Sequence, residues 1–493
     1  MSKNTIFIRK FVIPDQLVKN HMKENVKNKA ELVRYCVDNQ IEILNFHYCG
    51  WDGRLKTLNF VIRDEEHLLN ILEAGERVDG SSLFPFVEAG KSDLYVIPRY
   101  KTAFRDPLAN VPTVGVLCSF FNRDGQPFRG SPAYVLRRAH RVFQEKTGME
   151  MQTMGELEYY IISEDDGMYP VSDQRGYHES APFNKFADFR VDAIRMITQV
   201  GGMVKYAHSE VGNFRLHGNI YEQDEIEFLP VNIEDAADQL VLAKWIMRRL
   251  AYKNGVTLTF APKITAGKAG SGMHVHCKFT KDGKSVMIKD GDITDVVRRA
   301  IAGYMDAGTS LTAFGNPHPL AFMRLVPNQE APTSLCWSYS NRSALVRVPL
   351  GWTSKVEMAA VCNPGEAPVD KDFSDKATFE WRASDGTANS YLLMAALCVA
   401  ARHGFEMPDA LEVAERTYVG LGVDIHAAGN SALRSRLEQL PGSCDEAAEE
   451  LEKDRTIYTS EGVFQDSMLD YLIKTLRSFT HEDCDIRENL HIA

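Results

Sequence analysis

Two hydrophobic periods alternate along the chain. Ile43-Leu44-Asn45-Phe46-His47-Tyr48 and Leu55-Lys56-Thr57-Leu58-Asn59-Phe60-Val61-Ile62 read as strands flanking Trp51-Asp52-Gly53. An Asp-Gly pair between such runs predicts a hairpin, because glycine tolerates the positive φ of the turn. Val114 to Cys118 is a further strand-like run, and polar Asn122 to Pro127 separates it from a helix. Ser131 can cap that helix, and Pro132 suits its first position. A boundary near 112–125 therefore predicts a small N-terminal domain over 15–112 and a large one over 120–493. Within the large domain, Met151 to Ile162 reads as a strand. Leu240, Ala243, Met247 and Leu250 mark the buried stripe of a helix over 232–254, with Asn232 as its cap and Asn254-Gly255 closing it. The longest apolar run, Tyr391 to Ala401, predicts a buried core helix. Acidic and amphipathic helices are expected over 445–454 and 466–479. Strands and helices in this mixture imply an α+β protein.

Composition narrows the function classes. Of 493 residues, 44% are hydrophobic and 25% charged, the balance of an ordinary globular chain. Lys plus Arg is 56 against 67 Asp plus Glu, a net charge of −11. That argues against a sequence-independent nucleic-acid binder, which needs a basic surface to release counterions. No stretch reaches the ~20 apolar residues of a membrane helix, and Met1 to Lys10 has no apolar core followed by a cleavage site. The nine cysteines form no C-x-x-C pair, which fits free thiols in a reducing compartment. The expectation is a cytoplasmic protein without membrane or nucleic-acid partners.

Three segments place ionisable groups at i and i+2, which on a strand share one face about 6.6 Å apart. They are Glu156 and Glu158, His274 and His276, and Glu380 and Arg382. The intervening Leu157, Val275 and Trp381 are apolar, as expected where the opposite face packs on a core. A lone pair of this kind is usually a solvated face. Three together suggest a shared polar funnel, and carboxylates with few histidines suit Mg²⁺ or Mn²⁺ better than zinc. Arg342 and Arg347 sit in an apolar run, Asn341 to Pro349, which argues that at least one is buried facing an anion. Metals and arginines facing one cavity are the equipment of phosphoryl transfer. A P-loop and a G-x-S-x-G elbow are both absent.

Six segments, in order, closely resemble the glutamine synthetase family: Val78 to Ser82, Gly155 to Glu158, Gly270 to His276, Arg324 to Pro332, Asn341 to Pro349 and Glu380 to Asn389. The resemblance covers most of the chain. It implies a small N-terminal β-grasp domain followed by a large catalytic domain with a curved antiparallel sheet backed by helices. It also implies a homo-oligomeric ring, single or double, whose active sites are shared between neighbours. The implied activity is that of a type I-like, ATP-dependent ligase joining glutamate and ammonia through γ-glutamyl phosphate. Alternatives are a γ-glutamyl-amine ligase using methylamine, ethanolamine or a polyamine, and a non-catalytic ring scaffold.

Carried over position by position, Glu158, Glu210 and Glu225 would bind the metal nearest the amino-acid substrate. Glu156, His274 and Glu380 would hold the nucleotide-side metal, giving two or more Mg²⁺ or Mn²⁺ ions per site. His276 and Arg347 would lie beside the phosphates of ATP. Arg324, Arg382 and Gly270 would bind glutamate, and Arg342 and Arg347 would stabilise the transferring phosphoryl group. Asp79 with Asp93, Tyr177 and the flap residue Glu330 would form the ammonium site. The sequence also departs from the family pattern. Glu210 and Glu225 are fifteen apart rather than about eight, so Glu222, Asp224 and Glu227 become competing ligands. Thr378 stands where an arginine is common, Ala269 replaces an asparagine, and Ser209 replaces the second residue of a His-His pair.

Overall fold

The computed structural model describes residues 26–169, 172–327, 331–349, 358–367, 373–480 and 490. These fall into two compact units that interleave along the chain. The first contains residues 1–131, 160–226 and 239–259; the second contains 132–159, 227–238 and 260–493.

In the first unit, β1 (Ile43–Cys49) and β2 (Leu55–Val61) form the expected hairpin, with Phe46 opposite Leu58. Strands β3 (Glu76–Asp79), β4 (Asp93–Pro98), β5 (Phe104–Arg105) and β6 (Thr113–Phe121) complete the sheet, whose order is β2-β1-β6-β4-β3 with β5 also paired to β6. Among the described residues of this sheet, the β1–β6 pair is parallel and the other pairs are antiparallel. Leu44, Phe46, Val114 and Val116 bury one face against two helices, Lys29–Asp38 and Glu65–Ala74. Asn28 and Asp64 cap these helices through their side chains. The strand pattern of this region predicts neither helix. On the other face His47 is wholly buried, stacked on Phe104 and edged by Trp245, with Nδ1 2.9 Å from Thr57 Oγ1.

The strand β7 (Glu150–Glu164) runs from the second unit into the first. Its first part lies in the second unit, in a sheet ordered β16-β17-β18-β12-β7 from Trp337–Tyr339, Val346–Val348, Phe379–Trp381 and Met273–Lys281. Beyond Tyr160, in the first unit, it pairs with β11 (Thr257–Thr259) and is followed by β9 (Asn219–Phe228) and β8 (Val204–Leu216). The short strand β10 (Val231–Asn232) pairs with β7 and β13 (Lys284–Ser285) with β12, while β14 (Ile288–Lys289) and β15 (Asp292–Ile293) form a separate two-stranded sheet. The expected helix over 232–254 is observed at Ile233–Asn254, and Asn232 Oδ1 accepts the Glu234 N–H at 3.0 Å.

The second unit's helical layer is centred on Ser390–Glu406, the buried helix that the longest apolar run foretold. It packs on Pro132–Thr147 and Asp295–Asp306. At the latter crossing a Cβ on Gly303 would come within 2.0 Å of the Ala400 carbonyl oxygen, and one on Gly404 within 2.0 Å of Arg299 O. The two backbones touch because neither residue has a side chain. The tail helices are observed at Cys444–Lys453 and Asp466–Ser478. Among the described residues no helix is long and apolar enough to cross a membrane.

Two stability predictions follow from these packings. Gly303→Ala should destabilise the protein by roughly 1–3 kcal/mol, the usual cost of overpacking, read as a lower melting temperature. Burial, with the Arg249 charge, pushes the His47 imidazole down to about 3 from 6.5, so it is neutral when folded and gains a proton on unfolding. Its contribution to stability is complete above pH 6.5 and is lost as the pH falls toward 3. His47→Phe should flatten the stability–pH slope in that window, and an unchanged slope would contradict the assignment.

Candidate active site

The register of the second unit's sheet assembles one cluster. Arg347 on β17 lies opposite Glu380 on β18, which lies opposite His276 on β12; one row away, His274 faces Glu156 on β7. The alternate row, Val346-Trp381-Val275-Gly155, turns to the other side, where Val346, Trp381 and Val275 are fully buried. Apolar residues between the ionisable pairs thus anchor the sheet while the pairs face one another.

Contacts within the cluster are close. His274 Nδ1 is 3.0 Å from Glu156 Oε2 and 3.3 Å from Glu380 Oε1. His276 Nε2 is 2.8 Å from Glu156 Oε1, while its Nδ1 lies 2.8 Å from Thr378 Oγ1. Arg347 Nη1 approaches Glu380 Oε2 at 3.0 Å and Arg382 Nε donates to Glu380 Oε1 at 3.0 Å. Arg382 also donates through Nη1 to the Arg342 carbonyl. Arg342 is exposed, whereas Arg347 is half-buried and meets the Glu380 carboxylate. Arg324 is buried and donates to Ala383 O at 2.9 Å. It packs on two glycines: a Cβ on Gly270 would come within 2.8 Å of its Cγ, and one on Gly272 within 2.4 Å of its Nη2. Glu158 Oε2 accepts the Gly272 N–H at 2.9 Å.

Charge states follow from the neighbours. Burial would raise Glu156, but His276 and His274 hold it well below the ordinary carboxylate range. For Glu380, burial and the Glu156 charge push upward, and Arg382, His276 and His274 outweigh them. Burial keeps His274 below its ordinary value, whereas Glu156 and Glu380 lift His276 against burial. Ionised carboxylates beside a neutral imidazole are what a divalent cation requires. Glu156, His274 and Glu380 each offer one ligand atom within 4.8 Å of the others. Among the described residues, Glu380 Oε2 is buried and accepts no hydrogen bond of good geometry, with the Arg347 guanidinium 3.0 Å away. The donor set fits Mg²⁺ or Mn²⁺.

A second cluster lies in the first unit. His208, Glu210 and Glu225 also offer ligand atoms within 4.8 Å of one another. The wide spacing of the two glutamates is explained by the β8–β9 hairpin. His217 (φ 49°) and Gly218 (φ 80°) form its two-residue turn, with the positive φ pair of a type I′ turn. Counting back from that turn puts Phe214 opposite Tyr221, whose rings stack at 4.7 Å, and Glu210 opposite Glu225. Glu222 and Asp224 have the opposite parity. Glu222 accepts the Lys185 N–H at 2.9 Å and Asp224 pairs with Arg190 at 2.6 Å, so neither replaces Glu225. Glu227 is buried in the second unit, where its charge acts on His276. Despite burial, Glu225 and then Glu210 raise His208 to about 9. His208 was missing from the expected ligands, although its i, i+2 relation to Glu210 signals a shared face.

Asp79 and Asp93 are exposed register partners on β3 and β4. Asp79 accepts from Ser81 and Ser82 hydroxyls at 2.7 Å, and these bonds hold its carboxyl down to about 2. Asp93 pairs with Arg77 at 3.5 Å. Tyr177 is half exposed and stacks on His178 at 4.1 Å, with His208 at 5.5 Å. Glu330 lies outside the described residues.

A β-grasp unit joined to a sheet that carries carboxylates, imidazoles and arginines on one face defines a carbon–nitrogen ligase architecture. The chain belongs to the glutamine synthetase family: residues 40–123 match that family's β-grasp domain and residues 129–484 its catalytic domain. It is 28% identical to the glutamine synthetase of Methanococcus maripaludis over 444 residues, covering 88% of this chain and 92% of that protein. The glutamine synthetase of Thermotoga maritima is 29% identical over 440 residues, with 87% and 91% coverage. The fold superposes on Plasmodium falciparum glutamine synthetase with a TM-score of 0.74 at 20% identity, covering 94% and 97% of the two chains. It also superposes on GmaS in an ADP complex, with a TM-score of 0.71 at 18% identity, covering 90% and 94%.

Glu156→Gln preserves volume but removes the charge that both imidazoles face. It should weaken Mn²⁺ binding, followed by electron paramagnetic resonance titration, by more than about tenfold, since even outer partners of metal ligands are worth 10–100-fold. Unaltered Mn²⁺ affinity would remove Glu156 from the metal centre.

Proposed function

We propose that this protein is an ATP-dependent ligase that forms glutamine from glutamate and ammonia through γ-glutamyl phosphate. The observation carrying this reading is the ionised Glu156–His274–Glu380 group flanked by Arg347 and Arg382 on one sheet face. A carboxylate resists attack by an amine because its charge repels and its leaving group is poor. Phosphorylation makes its carbonyl electrophilic, and the phosphoryl group in transit must be held and neutralised. Arg347 and the more exposed Arg342 supply guanidinium donors for that charge, and His276, fixed by Thr378, stands beside them. Arg324 and Arg382 clamp the carboxylates of glutamate. Glu156, His274 and Glu380 would hold a divalent ion that would neutralise phosphate charge, and His208, Glu210 and Glu225 would hold another ion. Asp79, with Asp93, Tyr177 and Glu330, forms an anionic site for ammonium; an acid held at about 2 is ionised wherever ammonium is available, which suits Asp79 to holding the cation rather than to taking its proton.

Two supporting features are inherited from the family rather than from this chain's geometry: assembly into a homo-oligomeric ring, and a cytoplasmic setting. A second reading, a γ-glutamyl-amine ligase, is favoured by the His178 ring stacked on Tyr177, which makes that pocket wall more aromatic.

Phosphate release from Mg-ATP and glutamate, measured in parallel with ammonium, methylamine, ethanolamine and putrescine, tests both readings. Ammonium should give the greatest stimulation. Stimulation by an alkylamine alone would replace the first reading with the second, and stimulation by none would remove both. Asp79→Ala should raise the ammonium KM at least tenfold and leave the ATP KM within about twofold.

A further inference from the structure

Beside the His208 group of the first unit, the chain turns at a histidine where glycine would fit with less strain. The Glu179 N–H donates to Gly176 O at 2.9 Å and closes the turn Gly176-Tyr177-His178-Glu179. His178, its third residue, has φ 59°, in the left-handed region that favours glycine or asparagine. Such a conformation persists only where the surrounding structure over-determines it. Here the N–H groups of Gln174, Gly176 and His178 donate to Asn213 O, Val211 O and Ser209 O at 2.8, 3.3 and 2.9 Å, which lays the turn along β8. A Cβ on Gly176 would come within 2.5 Å of Glu210 O, so the segment rests directly on that strand.

Ser209 is the centre of this hold. It is buried, and its Oγ lies 2.8 Å from Gly176 O and 2.9 Å from Glu179 O, so one hydroxyl brackets Tyr177 and His178 from both ends. The bracketed pair presents two rings. The His178 imidazole lies on the Tyr177 ring, with centroids 4.1 Å apart and planes 19° from parallel, and is 4.5 Å from the His208 ring. The half-exposed Tyr177 meets His208 edge-on, at 5.5 Å and 71°. His178 therefore touches both other rings and fixes the angle between them. Aromatic ring faces attract ammonium-type cations, so that angle bears on how an amine is held.

We infer that Ser209 and His178 are positioning residues for the ammonium-type substrate: the Ser209 hydroxyl holds the turn, and the His178 ring holds Tyr177 at the angle from which it faces the cation. This rests on the ligase reading, and within it on Tyr177 as part of the amine site. Both residues act through Tyr177 rather than on the reacting atoms, so their effect falls on the KM for the amine.

The test measures glutamate-dependent phosphate release in wild type, His178→Gly, His178→Phe and Ser209→Ala, with thermal melting in parallel. Ammonium and methylamine are both tried, and the one that stimulates wild type more is used throughout. Its KM and those of glutamate and ATP are determined separately. His178→Gly suits the positive φ and should melt close to wild type. It should nonetheless raise the amine KM about fivefold or more, the scale of one aromatic contact, with the glutamate and ATP KM values within about twofold. A purely structural role for His178 would leave all three unchanged. His178→Phe, which keeps a ring on Tyr177, should recover most of the affinity, and Ser209→Ala, which loosens the turn, should raise the amine KM by a similar factor. Should Ser209→Ala fail to fold, the two His178 variants decide the matter. An unchanged amine KM in folded His178→Gly or Ser209→Ala overturns the proposal, as does an equal rise in all three KM values or a failure of phenylalanine to recover the affinity. Wild-type protein without amine-stimulated phosphate release would instead sink the ligase reading, and that control is read first.

Discussion

The strand register joining β7, β12, β18 and β17 is the constraint on which the site depends. Because side chains alternate faces with period two, a slip of one residue anywhere in that ladder would exchange Glu380 for Trp381 and His276 for Val275. Burial of Trp381, Val275 and Leu157 forbids the slip, since it would put indole in the polar cluster and carboxylates in the core. The apolar face thus stabilises the fold and at the same time fixes where the charges stand. Each charged group then finds its neighbour by pairing: His274 meets Glu156, and Glu380 is held between Arg347 and His276.

That ladder also explains how much of the protein could be read from its sequence. The i, i+2 pattern at 156–158, 274–276 and 380–382 carries the local half of the geometry, and helix caps and apolar stripes located the long helices. What sequence spacing could not supply was the pairing between strands. Thr378 reads as a missing arginine along the chain, yet across the fold it is the hydroxyl that orients His276. His208 and Glu225 look remote in sequence, and only a turn of known type places them together. The helices Lys29–Asp38 and Glu65–Ala74 escaped because their hydrophobic faces are short and interrupted by charge.

Electrostatics divides the two candidate metal groups. Around Glu156 and Glu380 the arginines and imidazoles compensate buried carboxylates, so the cluster is stable as an ionised network. In the His208 group the imidazole is drawn toward protonation by two carboxylates, and proton and metal compete for the same nitrogen. Family membership accounts for the shared architecture of both domains.

The β8–β9 hairpin shows how little chain separation says about distance. Its two-residue turn fixes cross-strand partners by counting outward from the tip, so the arms can lengthen in matched steps while the pair at their root is undisturbed. The tip stands about 20 Å beyond Glu210 and Glu225 at the usual strand rise. Such an arm is a modular appendage: its end can vary in length and composition without the paired carboxylates at its root registering the change, which gives evolution, or an experimenter attaching a fluorophore, a handle insulated from Glu210 and Glu225.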